Sequence, residues 1–221
     1  GVVRRIQAAS WEDAGTLFYT AKAVHLSGAP VMAKNRFYTV RLPSEAPVVY
    51  QSRYLGQYLS YIQQHHKQQH IILVGHSAGG VVARFYMVQN PDVGIDALIT
   101  IASPHLGTEL AELGSIAGNS PLGWAAPFIG GNTLNRSQGL YQELARERPG
   151  NMLFWLNRQE HPVAQYFSII RSDDSFFGLG GDNVVPAWSQ DLNRVQALRG
   201  KARSIVVEGD HDLRREDGDT L

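Results

Sequence analysis

Cysteine is absent from the sequence, which excludes disulfides, thiolate metal sites and a cysteine nucleophile while leaving the compartment open. Neither sign of charge is in excess: 20 Lys and Arg face 20 Asp and Glu. Nothing electrostatic therefore favours nucleic acid or an anionic membrane as partner. No apolar run approaches the ~20 residues that span a bilayer, which argues against stable membrane insertion, and the N-terminus lacks the apolar stretch of a signal peptide. Internal repeats and low-complexity tracts are missing as well. The chain starts Gly1-Val2-Val3-Arg4 without an initiator Met and is expected to be an excerpt.

What the sequence does have is material for a core. Hydrophobic residues make up 43% of 221 positions and aromatic residues 10%, which fits one α/β domain over residues 1–221 and excludes wholesale disorder. Ser10-Trp11-Glu12-Asp13 has the form of a capping box, and Ala14, Leu17, Phe18, Ala21 and Val24 follow at helical spacing, so a helix is predicted up to Gly28. Phe37 to Val40 reads as a strand ending at Pro43, and Leu55, Tyr58, Leu59 and Ile62 form one helical face after Pro47. Ile71-Ile72-Leu73-Val74 is a continuous apolar run, expected as a strand covered on both faces. A helix over Ala78 to Gln89 follows, closed by Asn90-Pro91. Further strands are predicted over Ile95 to Ala102, Tyr166 to Ile170 and Ser204 to Val207. This alternation predicts a mainly parallel sheet with helices on both faces. Between Gly107 and Pro162 the composition turns to Gly, Asn, Ser and Pro, with helical pieces near Gln138 to Arg148 and Asn151 to Arg158. This stretch reads as an insertion within the domain.

Gly75-His76-Ser77-Ala78-Gly79 lies directly after a strand run and directly before a helix. A serine on such a turn takes a strained backbone, and Gly75, Gly79 and Gly80 supply room for strand and helix to pass closely. The free N–H groups of the helix start point at the site, so the Ala78 amide suits an oxyanion. A glycine-rich phosphate turn or a simple tight strand-to-helix connection is the competing reading.

Here the sequence resembles the α/β-hydrolase family, in particular the bacterial lipases and esterases whose nucleophile sits in G-H-S-x-G. Thr100-Ile101-Ala102-Ser103-Pro104-His105-Leu106-Gly107-Thr108 is similar to the segment ending the next strand in those proteins. Asp182-Asn183-Val184-Val185-Pro186 is similar to the D-G-V-V-P stretch that carries their acid. The resemblance extends over most of Ile71 to His211. It implies an α/β-hydrolase fold, with the first strands lacking from this chain, and a cofactor-independent serine hydrolase acting on carboxylic esters.

A serine hydroxyl needs a base, and the base needs an anionic partner. With the chain order Ser, acid, His implied by the resemblance, His211 is the one histidine beyond Asp182. Ser77 is thus expected as nucleophile, His211 as base and Asp182 as acid, with Asp173, Asp174, Asp210 and Asp212 as further candidates for the acid. A second oxyanion donor normally follows an earlier strand, where lipases often carry His-Gly, and this sequence has no such dipeptide.

His76 is read as packing beside the nucleophile, with a place at the substrate entrance as the alternative. His105 is read as shaping a loop or lining a pocket. His65, His66 and His70 read as a polar helix end, so no metal is expected. The 107–162 insertion is a cap or lid, or else a decorated crossover; Leu106, Trp124 and Phe128 are expected against the substrate, a small-molecule ester or lipid. The same triad would equally serve an amidase, a thioesterase or an acyltransferase. A silent hydrolase fold used for binding is the reading from another class.

Overall fold

The computed structural model describes residues 2–8, 11–20, 23–28, 33–66, 70–109, 134–172 and 181–221. The chain divides into two compact units: a smaller one of Gly1–Pro43, Arg53–Gln69 and Asp212–Leu221, and a larger one of Ser44–Ser52 and His70–His211.

In the smaller unit a helix Val2–Ala8 (α1) precedes three strands, Glu12–Thr20 (β1), Ala23–Ser27 (β2) and Arg36–Val40 (β3). β1 is central, antiparallel to β2 and parallel to β3. The helix expected from Ala14 to Gly28 is therefore a pair of strands, and the cause is a bulge. The β1–β3 register breaks between Asp13 and Thr16, where Gly15 has φ +101° and donates its N–H to Asp13 Oδ1 at 2.9 Å. An inserted residue turns a period of two into a spacing of three. Ala14 and Leu17 are consequently both buried, which imitates one face of a helix. Asp13 caps the bulge rather than a helix. Helix Val48–His65 (α2) begins in the larger unit and continues in the smaller, burying Leu55, Tyr58 and Leu59 as their spacing predicts. The Tyr58 hydroxyl donates to the Arg41 carbonyl at 2.6 Å.

The larger unit holds four strands in the order β4-β5-β6-β7, all parallel: Ile71–His76, Ile95–Ile101, Gln165–Ser172 and Ala202–Glu208. Helix Ala78–Gln89 (α3) joins β4 to β5 and is buried from Gly80 to Met87. The parallel sheet with helices agrees with the expected fold class. One detail differs: Ile72 and Val74 are 45% and 50% exposed while Ile71 and Leu73 are half-buried. β4 thus alternates, as a strand with one covered face does, instead of being covered on both sides. Helices Leu134–Leu144 (α4) and Met152–Leu156 (α5) stand near the expected pieces with different ends. Asn151 caps α5 by accepting the Phe154 N–H at 2.9 Å. A short helix Ala187–Gln190 (α6) follows the segment after β6. Among the described residues no helix is long and apolar enough to cross a membrane.

Candidate active site

Four segments that follow the parallel strands hold the expected site residues of the larger unit: Ser77 after β4, Ser103 to Thr108 after β5, Asp182 after β6 and His211 after β7. Ser77 sits between strand and helix with φ +52° and ψ −131°, a left-handed backbone that costs on the order of 1–3 kcal/mol and has to be imposed by its surroundings. The Ser77 N–H donates to the Ile101 carbonyl at 2.9 Å, which fixes the turn to β5. A Cβ on Gly75 would stand 2.5 Å from the Gly80 backbone, and one on Gly80 would stand 2.2 Å from Ser103 Oγ. These two glycines supply the close approach. Gly79, expected to share that role, has nothing within 4 Å of its would-be Cβ.

The Ser77 hydroxyl lies 2.8 Å from His211 Nε2, and His211 Nδ1 lies 2.7 Å from Asp182 Oδ2. A carboxylate can only accept, so Nδ1 donates to it; in the neutral ring Nε2 is then the acceptor and Ser77 the donor. That arrangement can draw the proton from the hydroxyl as its oxygen attacks. His211 is 6% and Asp182 1% exposed, and at this burial fixed hydrogen bonds act more strongly than they do in water. Asp182 Oδ1 accepts the N–H groups of Val184 at 3.0 Å and Val185 at 2.7 Å. Asn183 stands where the resembled D-G-V-V-P pattern has Gly, and it adopts φ +68°, a conformation asparagine tolerates better than most residues.

Of the other expected residues, His76 and Leu106 are half-buried. The His76 ring lies beside that of His211, with centroids 5.1 Å apart. The Leu106 N–H donates to Ser189 Oγ at 3.2 Å. Trp124, Phe128 and the alternative acids Asp173 and Asp174 lie outside the described residues. Asp212, which is exposed, and half-buried Asp210 flank His211, while the carboxylate bonded to its ring belongs to Asp182. His105 is fully buried and shapes a loop: its Nε2 lies 3.0 Å from Thr100 Oγ1 and its carbonyl accepts from Asn157 Nδ2 at 3.1 Å. Burial, then the nearby Arg84 and His161, hold its imidazole well below the usual histidine range, so it stays neutral. Among the described residues no cluster of three or more His, Asp or Glu is placed to hold a metal ion.

Several buried polar residues escaped the sequence reading. Gln190 donates through Nε2 to the Val185 carbonyl at 2.8 Å and the Arg171 carbonyl at 3.1 Å, and reaches Asp182 Oδ2 at 3.4 Å. Its Oε1 accepts the Arg171 N–H at 2.6 Å. Gln190 thereby ties the Asp182 loop to β6. Thr108 Oγ1 donates to the Val184 carbonyl at 2.6 Å, joining that loop to the segment after β5. Arg84, facing inward from α3, donates to Asn157 Oδ1 at 2.6 Å. The one signal for any of these is Arg84, a cation within the apolar run of α3.

Residues 45–117 match the family model described as "PGAP1-like alpha/beta domain". A gene product of Listeria innocua superimposes with a TM-score of 0.62 at 14% identity, covering 94% of this chain and 76% of the other. The chain has the α/β-hydrolase fold. A metagenomic carboxyl esterase gives 0.55 at 18% identity, over 81% of this chain and 55% of its own length. The mature lipase BlEst2 of Bacillus licheniformis gives 0.52 at 18%, over 80% and 71%. The chain thus spans just over half of the esterase. No curated protein matches it significantly. In this α/β-hydrolase fold, Ser77, Asp182 and His211 stand in the chain order that the fold uses for nucleophile, acid and base.

Proposed function

We propose that this chain is a serine hydrolase that cleaves carboxylic esters, taking a small-molecule ester or a lipid as substrate. The observation that carries the reading is the unbroken line from Ser77 Oγ through His211 to Asp182, with links of 2.8 and 2.7 Å. Ser77 Oγ bonds to the acyl carbon as its proton passes to His211 Nε2, and Asp182 holds the resulting imidazolium. The carbonyl oxygen becomes an oxyanion facing the Ala78 amide at the helix start. Collapse breaks the ester C–O bond, and His211 returns the proton to the departing alcohol. Water then repeats the sequence on the acyl-enzyme, releasing the acid and restoring Ser77. No cofactor enters these steps.

Ester chemistry is preferred over amide cleavage because the structural neighbours include proteins described as a carboxyl esterase and a lipase. Leu106, with Trp124 and Phe128, is proposed to line the acyl site, and 107–162 to form its cap within one hydrolase domain. The test is turnover of matched p-nitrophenyl ester and p-nitroanilide substrates by the wild type and by Ser77→Ala. The reading requires ester turnover that exceeds anilide turnover and that falls by about 10⁶-fold in the variant, as loss of a triad nucleophile does. Ester turnover unaffected by the substitution contradicts it.

A further inference from the structure

The geometry points to His76 as a positioning residue: its imidazole clamps the main chain of His211 and so fixes that ring against Ser77. The inference builds on the triad reading above. His76 Nε2 lies 2.6 Å from the His211 carbonyl oxygen. A carbonyl only accepts, so Nε2 carries the proton and donates. The two rings also touch, with centroids 5.1 Å apart and planes inclined by 43°.

The two partners differ in how they are held. His76 ends β4 and pairs with Ile101 in the parallel ladder, one residue before Ser77, whose own N–H is tied to Ile101. His211 lies three residues beyond β7, which ends at Glu208. Its loop is fastened upstream, where the Gly209 N–H donates to the Ser172 carbonyl at 3.2 Å and Arg171 Nη1 donates to the Glu208 carbonyl at 3.4 Å. Both ring nitrogens of His211 are engaged by Asp182 and Ser77. Those bonds set the ring's direction, whereas the bond from His76 holds the backbone that carries it. A functional group kept in register by a rigid element is more precise than one left to its loop. The G-H-S sequence therefore places clamp and nucleophile on the same strand end, so that displacement of one moves the other.

The experiment compares His76→Leu, which keeps bulk and loses the donor, with His76→Gln, whose side-chain amide can donate from nearly the same place. Leu is expected to lower kcat on a p-nitrophenyl ester by about 10- to 100-fold, the scale of a misplacement near 1 Å, with KM little changed. Gln should restore most of the loss. The downfield proton resonance of the His211–Asp182 hydrogen bond supplies a readout independent of turnover: it should broaden or shift in His76→Leu and return in His76→Gln. Thermal melting identifies a variant that has lost the fold, in which case the comparison rests on Gln against the wild type, with the wild-type resonance and kcat nearly retained in Gln. Leu matching wild-type kcat and resonance overturns the clamp, as does Gln performing no better than a folded Leu variant. A resonance that follows the donor in a protein without ester turnover would uphold the clamp and defeat the esterase reading.

Discussion

Two buried charges in the larger unit are held in opposite ways. The Asp182 carboxylate meets fixed donors directly: two amide N–H groups on Oδ1, His211 on Oδ2 and, at 3.4 Å, Gln190. The Arg84 guanidinium, fully buried in the helix after Ser77, reaches its counter-charge through an intermediary. Its Nη2 donates to Asn157 Oδ1 at 2.6 Å, and Asn157 Nδ2 donates in turn to Glu147 Oε2 at 3.0 Å. Arg84 Nε and Nη1 are buried with no hydrogen-bond partner among the described residues. Burial accordingly lowers the Arg84 pKa to about 9, against the opposing pull of Glu147. The contrast separates two uses of a buried charge. One is met by fixed donors that include an imidazole, while the other ties a helix to a loop through an amide.

The sharpest break in this comparison is Asp182→Asn. The side-chain oxygen can still accept from Val184 and Val185, but the amide leaves His211 in the wrong tautomer, and kcat should fall by about 10⁴-fold. Steady-state assay checks it, and a loss below tenfold would mean that Asp182 does not orient the base. Next comes the intermediary. Asn157→Leu strands a charged guanidinium and should cost about 3–5 kcal/mol, whereas Arg84→Met, which removes the charge, should cost only about 1–3 kcal/mol. Denaturant melts of both decide the order, and the reverse order would show that Arg84 is not the member in need of compensation.

A third effect follows from pH. His161, held at about 4 by burial and then by Arg84, is neutral in the folded chain, while the unfolded chain binds its proton near the ordinary 6.5. The contribution is complete above pH 6.5. It is lost as pH falls from there toward 4, with a slope of at most about 1.4 kcal/mol per pH unit. His161→Gln should flatten the fall of melting temperature over that window, and an unchanged slope would contradict the assignment. The smallest effect is expected at Asn183, where φ is +68°. Asn183→Gly should alter stability by less than about 1 kcal/mol, because glycine takes a left-handed backbone without strain, and activity assays should find the acid still in place.

The sequence was legible where local chemistry and tertiary structure agree. The turn around Ser77 needs small neighbours, and Gly75 and Gly80 are small because backbone passes 2.5 Å and a serine 2.2 Å from where a Cβ would stand. That Asp182 and His211 meet was legible only through the resemblance, which implies the chain order Ser, acid, His and matches the Val184-Val185-Pro186 pattern. The segment from Ala14 to Gly28 was not, because a single bulge at Gly15 gives a strand the spacing of a helix. Gln190 could not be found either: one glutamine in Ala187-Trp188-Ser189-Gln190 has the composition of an exposed turn, and only the fold shows it 1% exposed with its amide between two carbonyls. Buried polar partners are chosen by where backbone groups converge, which periodicity does not encode.

The central claim is that Ser77 is made nucleophilic by His211. The most direct test is peptide mapping of the protein after reaction with a fluorophosphonate, alongside a His211→Ala variant. A single adduct on Ser77, formed rapidly in the wild type and slowed at least about 10³-fold without the imidazole, is the predicted result. An adduct on another residue, or equal labelling of Ser77 with and without His211, would contradict it.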